Sequence, residues 1–259
     1  MTPSLHTQVG ELARRSVLRT LRQPAQVVPA LIFPLFLLAV NSGGLADATK
    51  IPGFPTDSYL NFLLAVPFMQ GALFALLNAG TDLARDVETG FLNRLALTPL
   101  RGAALLSGLL AGVGVLGVLQ GLTYITVGLI AGAGVAAGVP GVLVILVFSV
   151  LLTVGFGSIG LFAALRTGSG EAVQSLFPVF FVFLFISSMA LPRNLIQTDW
   201  FREIATYNPV SYLIEAIRSL LITGWDGEAL ALGFAVAIAV GTIGMFAATT
   251  ALHTRLVRT

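Results

Sequence analysis

Tyr207-Asn208-Pro209-Val210-Ser211-Tyr212-Leu213-Ile214-Glu215-Ala216-Ile217-Arg218-Ser219-Leu220-Leu221 is apolar enough for a membrane, yet it carries a charged stripe and is too short to cross one. Asn208 can cap a helix. Pro209 suits the first helical position, where its missing N–H needs no partner, and Gly224 offers a left-handed stop. The helix therefore runs from about Pro209 to Thr223, roughly 22 Å against a hydrocarbon core of about 30 Å. Ser211, Glu215 and Arg218 share one face by their spacing of four and three, while Val210, Leu213, Ile214, Ile217 and Leu221 fill the remainder. Such a helix dips partway into a bilayer, with its backbone satisfied and its charges turned to protein or water.

The chain around it is 56% hydrophobic and 10% charged, with a mean hydropathy of +0.92, far from the roughly 25% charge of a soluble domain. Uncharged stretches predict six spans at 25–46, 58–81, 102–132, 141–165, 172–192 and 229–252. Residues 102 to 165 hold no Asp, Glu, Lys or Arg, enough for two crossings, and Gly132, Gly134, Gly138, Pro140 and Gly141 place the turn between them. Of the 14 basic residues, all but Lys50, Arg193, Arg202 and Arg218 fall on one side of this layout. That bias predicts both termini in the cytoplasm, and the expected location of this multi-pass chain is the plasma membrane. Arg14 to Arg22 followed by an apolar run imitates a signal peptide, but the run is longer than a usual signal core. Residues 1–24 read instead as an interfacial helix with Arg15, Arg19 and Arg22 on one face, arginines that could equally serve only to set orientation.

Several chemistries are excluded. Gly155-Phe156-Gly157-Ser158-Ile159-Gly160 matches a dinucleotide fingerprint letter for letter, but it lies inside a membrane run, where glycines serve close helix packing. Gly108 and Gly112, Gly117 and Gly121, and Gly128 and Gly132 repeat a spacing of four along the third span, again a packing signal. The sole lysine is Lys50 and no phosphate loop exists, so the chain cannot hydrolyse ATP by that route. There is no cysteine, and His6 and His253 stand near opposite termini without a carboxylate cluster, so no metal site is expected. Nothing points to nucleic acid. The spans lack the mid-depth charges of most ion-coupled carriers, so the work of transport would come from outside the membrane. Gln70, Asn78 and Gln120 are the remaining mid-span polar residues, read as interhelical hydrogen bonds or as the lining of a translocation route. Phe177 to Phe185 is rich in aromatic rings that suit lipid or subunit contact, and Trp200 and Trp225 fit an external aromatic belt.

Between the second and third spans, residues 82–101 gather Asp82, Arg85, Asp86, Glu88, Arg94 and Arg101. Leu83, Val87, Phe91 and Leu95 recur every four residues as an apolar stripe, Gly90 allows a bend, and Thr98-Pro99 stops the helix. This loop resembles the cytoplasmic coupling helix of ABC-2 type permeases, the membrane subunits of one class of ATP-binding-cassette exporter. Asn208-Pro209, followed by a small residue, an aromatic, Glu215 and Arg218, resembles that family's re-entrant segment before the last span. The resemblance implies an all-α integral membrane protein with six transmembrane helices. It also implies an N-terminal interfacial helix, a cytoplasmic coupling helix at 82–101 and an external re-entrant segment at 193–227, all in one domain of 259 residues. It further implies a dimer of like or related permease subunits, surrounded by lipid, on cytoplasmic ATPase subunits that bind ATP and Mg. Arg85, Asp86, Glu88 and Arg94 would then receive the ATPase stroke, and an amphiphilic drug, antibiotic, lipid or lipid-linked glycan would move outward. An ion-coupled carrier or a membrane scaffold are the rival classes.

Overall fold

The computed structural model describes residues 5–96 and 102–258, and every regular element among them is helical. In chain order these are α1 (Leu5–Leu21), α2 (Pro24–Gly44), α3 (Tyr59–Leu63), α4 (Val66–Glu88), α5 (Phe91–Ala96) and α6 (Gly102–Ile130). They continue with α7 (Gly138–Thr167), α8 (Gly170–Gln174), α9 (Leu176–Phe185), α10 (Asp199–Tyr207), α11 (Pro209–Ile222) and α12 (Gly227–Arg258), with 3-10 turns at Ala46–Lys50 and Arg193–Leu195. Among the described residues, five stretches are long and apolar enough to cross a membrane: Pro24–Gly44, Tyr59–Glu88, Gly102–Ile130, Gly138–Thr167 and Gly227–Arg255.

The span expected at 172–192 is not one long helix. It is the shorter apolar stretch Gly170–Phe185, made of α8 and α9 and about 24 Å in length at 1.5 Å per residue. Its early end has a physical cause. The last carbonyls of a helix lack partners. Here Asn208 donates from Nδ2 to the oxygens of Phe183 (2.6 Å) and Ile186 (3.2 Å), and Arg218 donates to those of Ser188 and Met189 (3.1 Å each). Asn208, which caps α11, and Arg218 on α11 thus take carbonyls that further turns of helix would have used.

α4 and α7 form the centre of the bundle, with α2 and α12 at its periphery. The glycines of the false fingerprint explain how the helices come so close. Gly155 faces Gly241 of α12, Gly157 faces Val113 of α6, and a Cβ on Gly160 would overlap the Leu76 carbonyl of α4. One short motif therefore docks α7 against three neighbours. On α6, Gly108 and Gly112 seat Leu12 and Ser16 of α1, while Gly117 and Gly121 seat Thr153 and Ser149 of α7. The second of these patterned pairs in effect buries polar side chains, and Ser149 donates to the Gly117 carbonyl at 2.9 Å.

The region 82–101 also differs from expectation. Asp82 to Glu88 are the last two turns of α4 rather than a separate helix. The chain breaks at Thr89-Gly90, where Gly90 is left-handed with φ 70°, and resumes as α5. The expected stop at Thr98-Pro99, and Arg101, lie outside the described residues.

Candidate functional site

Polar groups concentrate at the two ends of the apolar bundle. At one end, called here the re-entrant end, α11 begins with the sequence-predicted cap: Asn208 Oδ1 accepts from the Val210 N–H at 2.9 Å. Pro209 occupies the first turn, and the helix stops at Ile222 before Gly224, whose φ is 94°. Its last carbonyls are satisfied by the turn between α6 and α7, because Leu221 accepts from Ala136 N–H at 3.1 Å and Leu220 from Ala137 N–H at 3.0 Å. The backbone of this short helix is thus partnered at both ends, as immersion in a low-dielectric medium requires.

Its charged stripe is divided between different partners. Glu215 accepts from Arg193 Nε at 2.9 Å, from Arg193 Nη2, and from Ser188 Oγ at 2.8 Å. Burial opposes the charge on Arg193, but the hydrogen bond and negative charge of Glu215 outweigh it and hold the guanidinium above its ordinary pKa. Arg218 is 7% exposed, and among the described residues its hydrogen bonds go to carbonyls rather than to a carboxylate. It donates to the carbonyls of Phe62, Ser188 and Met189, each at 3.1 Å, and lies 3.6 Å above the Phe62 ring. One guanidinium therefore joins α3, the turn after α9, and α11, a task suited to its planar fork of donors. Neither Arg193 nor Ser188 stood out in the sequence, because their role depends on a turn whose position hydropathy does not specify.

At the other end, called here the terminal end, α1 lies against the close of α4. Arg19 contacts Asp82 (3.0 Å) and Asp86 (3.2 Å), Arg15 reaches Asp86 at 3.3 Å, and Gln26 donates to Asp82 at 3.1 Å. Arg15 also stacks over the Phe91 ring at 4.1 Å, so it touches both sides of the Gly90 break. Asp86, among the residues expected to receive the ATPase stroke, therefore ties α1 to α4 through two arginines. Arginines four apart opposite aspartates four apart is a signal the sequence did contain. Arg85, Glu88 and Arg94 remain exposed, and Glu88 accepts from the Gly170 N–H at 3.4 Å, across to the start of α8.

The mid-bundle amides sit within the packing. Gln120 is fully buried and donates to the Gly71 carbonyl at 3.1 Å; Asn78 donates to the Gln26 carbonyl at 3.4 Å; Gln70 is 3% exposed. Gln120 thereby joins α6 to α4, and Asn78 joins α4 to α2. A row of rings does reach the surface. Phe33, Phe74, Phe177, Phe181 and Phe185 follow one another at centroid distances of 5.9, 5.7, 5.2 and 5.1 Å from α2 across α4 and along α9. Among the described residues no group of three or more His, Cys, Asp or Glu could hold a metal.

A family model described as "ABC-2 type transporter" matches residues 7–222. The chain is similar to proteins named "Putative transport permease ycf38" from three algae. It is 31% identical to that of Pyropia yezoensis over 84% of this chain and 75% of that protein. The values are 28% over 85% and 76% for Porphyra purpurea, and 27% over 81% and 72% for Cyanophora paradoxa.

Proposed function

The chain belongs to the ABC-2 type transporter family, a family of membrane transport components, and from this we propose that it is the permease subunit of an ATP-driven exporter of amphiphilic cargo. Two such subunits, alike or related, would enclose the route, with both termini in the cytoplasm by the placement of basic residues. The short α8–α9 stretch would serve as the sixth crossing, completed at the re-entrant end by the non-helical residues after Phe185 and by α10–α11. ATP and Mg would be bound by a separate ATPase subunit beneath the terminal end.

The observation that carries this reading is the joint at Gly90. Arg15, Arg19, Asp82 and Asp86 clamp α1 to the end of α4, while Arg85, Glu88 and Arg94 on either side of the break stay exposed for a soluble partner. A push on α5 would pass through Phe91 and Arg15 into α1 and α4 together, and α4 runs through the centre of the bundle. The Phe33–Phe185 row supports an apolar cargo, since it offers stacking surface without charge. The test is reconstitution with an ABC-type ATPase that copurifies with the chain. Expected are ATP-dependent cargo movement and an ATPase rate raised by the permease, both reduced in Glu88→Arg/Arg94→Glu while membrane insertion is unchanged. Normal transport by a well-inserted double variant removes the joint from the mechanism, and cargo movement driven by an ion gradient without ATP removes the exporter reading.

A further inference from the structure

We infer that α10 is a membrane-interface anchor: its Trp200, Ile204 and Tyr207 lie in the headgroup region of the leaflet at the re-entrant end. At 100° per residue these three positions fall within about 60° of arc on the helix. They are 62%, 41% and 79% exposed, so the described residues leave this face largely uncovered. Asp199, Arg202, Glu203 and Thr206 occupy the next sector, with Arg202 and Asp199 paired to each other. Ala205, 0% exposed, marks the third sector, turned into the protein. A polar face, an apolar face rich in Trp and Tyr, and a side packed on protein fit a helix lying in the plane of a lipid–water boundary, with its apolar side about 5–10 Å into the headgroup region.

Two features favour lipid over a second copy of the chain. The exposed face continues the apolar surface of α9, where Val179, Val182, Phe183 and Phe185 are also uncovered, and Asn208 joins the two helices through the Phe183 carbonyl. The exposed charges beside Trp200 and Tyr207, Glu203 among them, would have to be desolvated in a protein interface but stay hydrated at a bilayer surface. The anchor is coupled to the re-entrant helix. Ser211 Oγ donates to the Ala205 carbonyl at 2.7 Å and Tyr212 Oη to that of Thr206 at 2.8 Å, so the last turn of α10 is held by the first turn of α11. The leaflet thereby fixes the entry angle of α11 and the position of Asn208.

The test does not depend on transport activity. Trp200 and Trp225 are the two tryptophans, so Trp225→Phe leaves Trp200 as the sole reporter in phosphatidylcholine vesicles. Its emission should be blue-shifted against the unfolded chain, strongly quenched by lipid brominated high on the acyl chain, and little quenched by lipid brominated near the methyl end or by aqueous iodide. Because the chain has no cysteine, nitroxides at Ile204→Cys and Glu203→Cys give a second measurement that needs neither tryptophan. Oxygen should reach position 204 better than a water-soluble nickel chelate does, with the order reversed at 203. Iodide quenching without bromolipid quenching places the face in water and overturns the inference. A Trp200 that neither quencher reaches, with a nitroxide at 204 shielded from both oxygen and nickel, assigns the face to a second copy and overturns it equally.

Discussion

Replacing Arg218 by Met would remove the guanidinium that holds three elements together, and its cost can be set from the contacts. Three hydrogen bonds at 3.1 Å and a ring contact at 3.6 Å are lost. At about 0.6 kcal/mol per bond, the average for bonds inside membrane proteins, the hydrogen bonds sum to about 2 kcal/mol. Buried carbonyls left without donors cost about 1–3 kcal/mol each, and the cation–π contact adds about 1. Phe62 and Ser188 are both 0% exposed, so water cannot readily take over two of the three carbonyls, and we expect a loss of about 4 kcal/mol. Glu215→Gln should cost less, about 1–2 kcal/mol, because its side chain is 22% exposed and water can partly replace Arg193. The decisive quantity is the pattern of coupling. By sequence spacing, Glu215 and Arg218 can partner each other or groups on a neighbouring span, and either way removing one charge is expected to hurt more than removing both. The structure gives Glu215 to Arg193 instead. Double-mutant cycles should therefore show a coupling of about 1–2 kcal/mol for Glu215 with Arg193, and a smaller one for Glu215 with Arg218. Unfolding in mixed micelles, followed by tryptophan fluorescence, measures each corner of the cycle. A larger Glu215–Arg218 coupling, or an Arg218→Met variant no less stable than one at exposed Arg202, would refute the assignment.

Further outcomes follow from the packing and from the terminal end. Gly160→Ala should destabilise the bundle by about 1–3 kcal/mol, because the new Cβ meets the backbone carbonyl of Leu76, which cannot rotate away; thermal unfolding of the purified chain checks it. Asp86→Asn should loosen α1 by weakening its bonds to Arg15 and Arg19, seen as faster hydrogen exchange across Leu5–Leu21 with α7 unchanged; equal exchange in both proteins would mean the ion pairs do not hold α1. Tyr124→Phe leaves the Ala30 carbonyl without its 2.5 Å donor inside the bundle and should cost about 1 kcal/mol, whereas loss-free replacement would indicate another donor there. The chain freed of copurifying ATPase should neither bind nor hydrolyse ATP, since it has no phosphate-cradling loop and its one lysine is Lys50; retained turnover would contradict this.

The membrane class and most of the layout were legible in the sequence because they rest on local properties. Long uncharged runs, an Asn-Pro start and a Gly stop act within a few residues of themselves, and α6, α7, α11 and α12 begin within three residues of their expected starts. The glycines of Gly155 to Gly160 were readable as packing sites, though which helix each one meets was not. What depended on the tertiary structure was where polar groups find partners. The apolar run continues past Phe185 to Ile186, Met189 and Leu191, yet α9 ends at Phe185, where Asn208 takes the Phe183 carbonyl and Arg218 takes those of Ser188 and Met189 just beyond, both donors more than twenty residues onward. Asp86 was one charge among several in the 82–101 loop, and only packing brought Arg15 and Arg19 of α1 against it. A buried hydrogen-bonding group takes whichever partner the fold delivers, at whatever sequence distance, so its role is fixed only when the chain has packed.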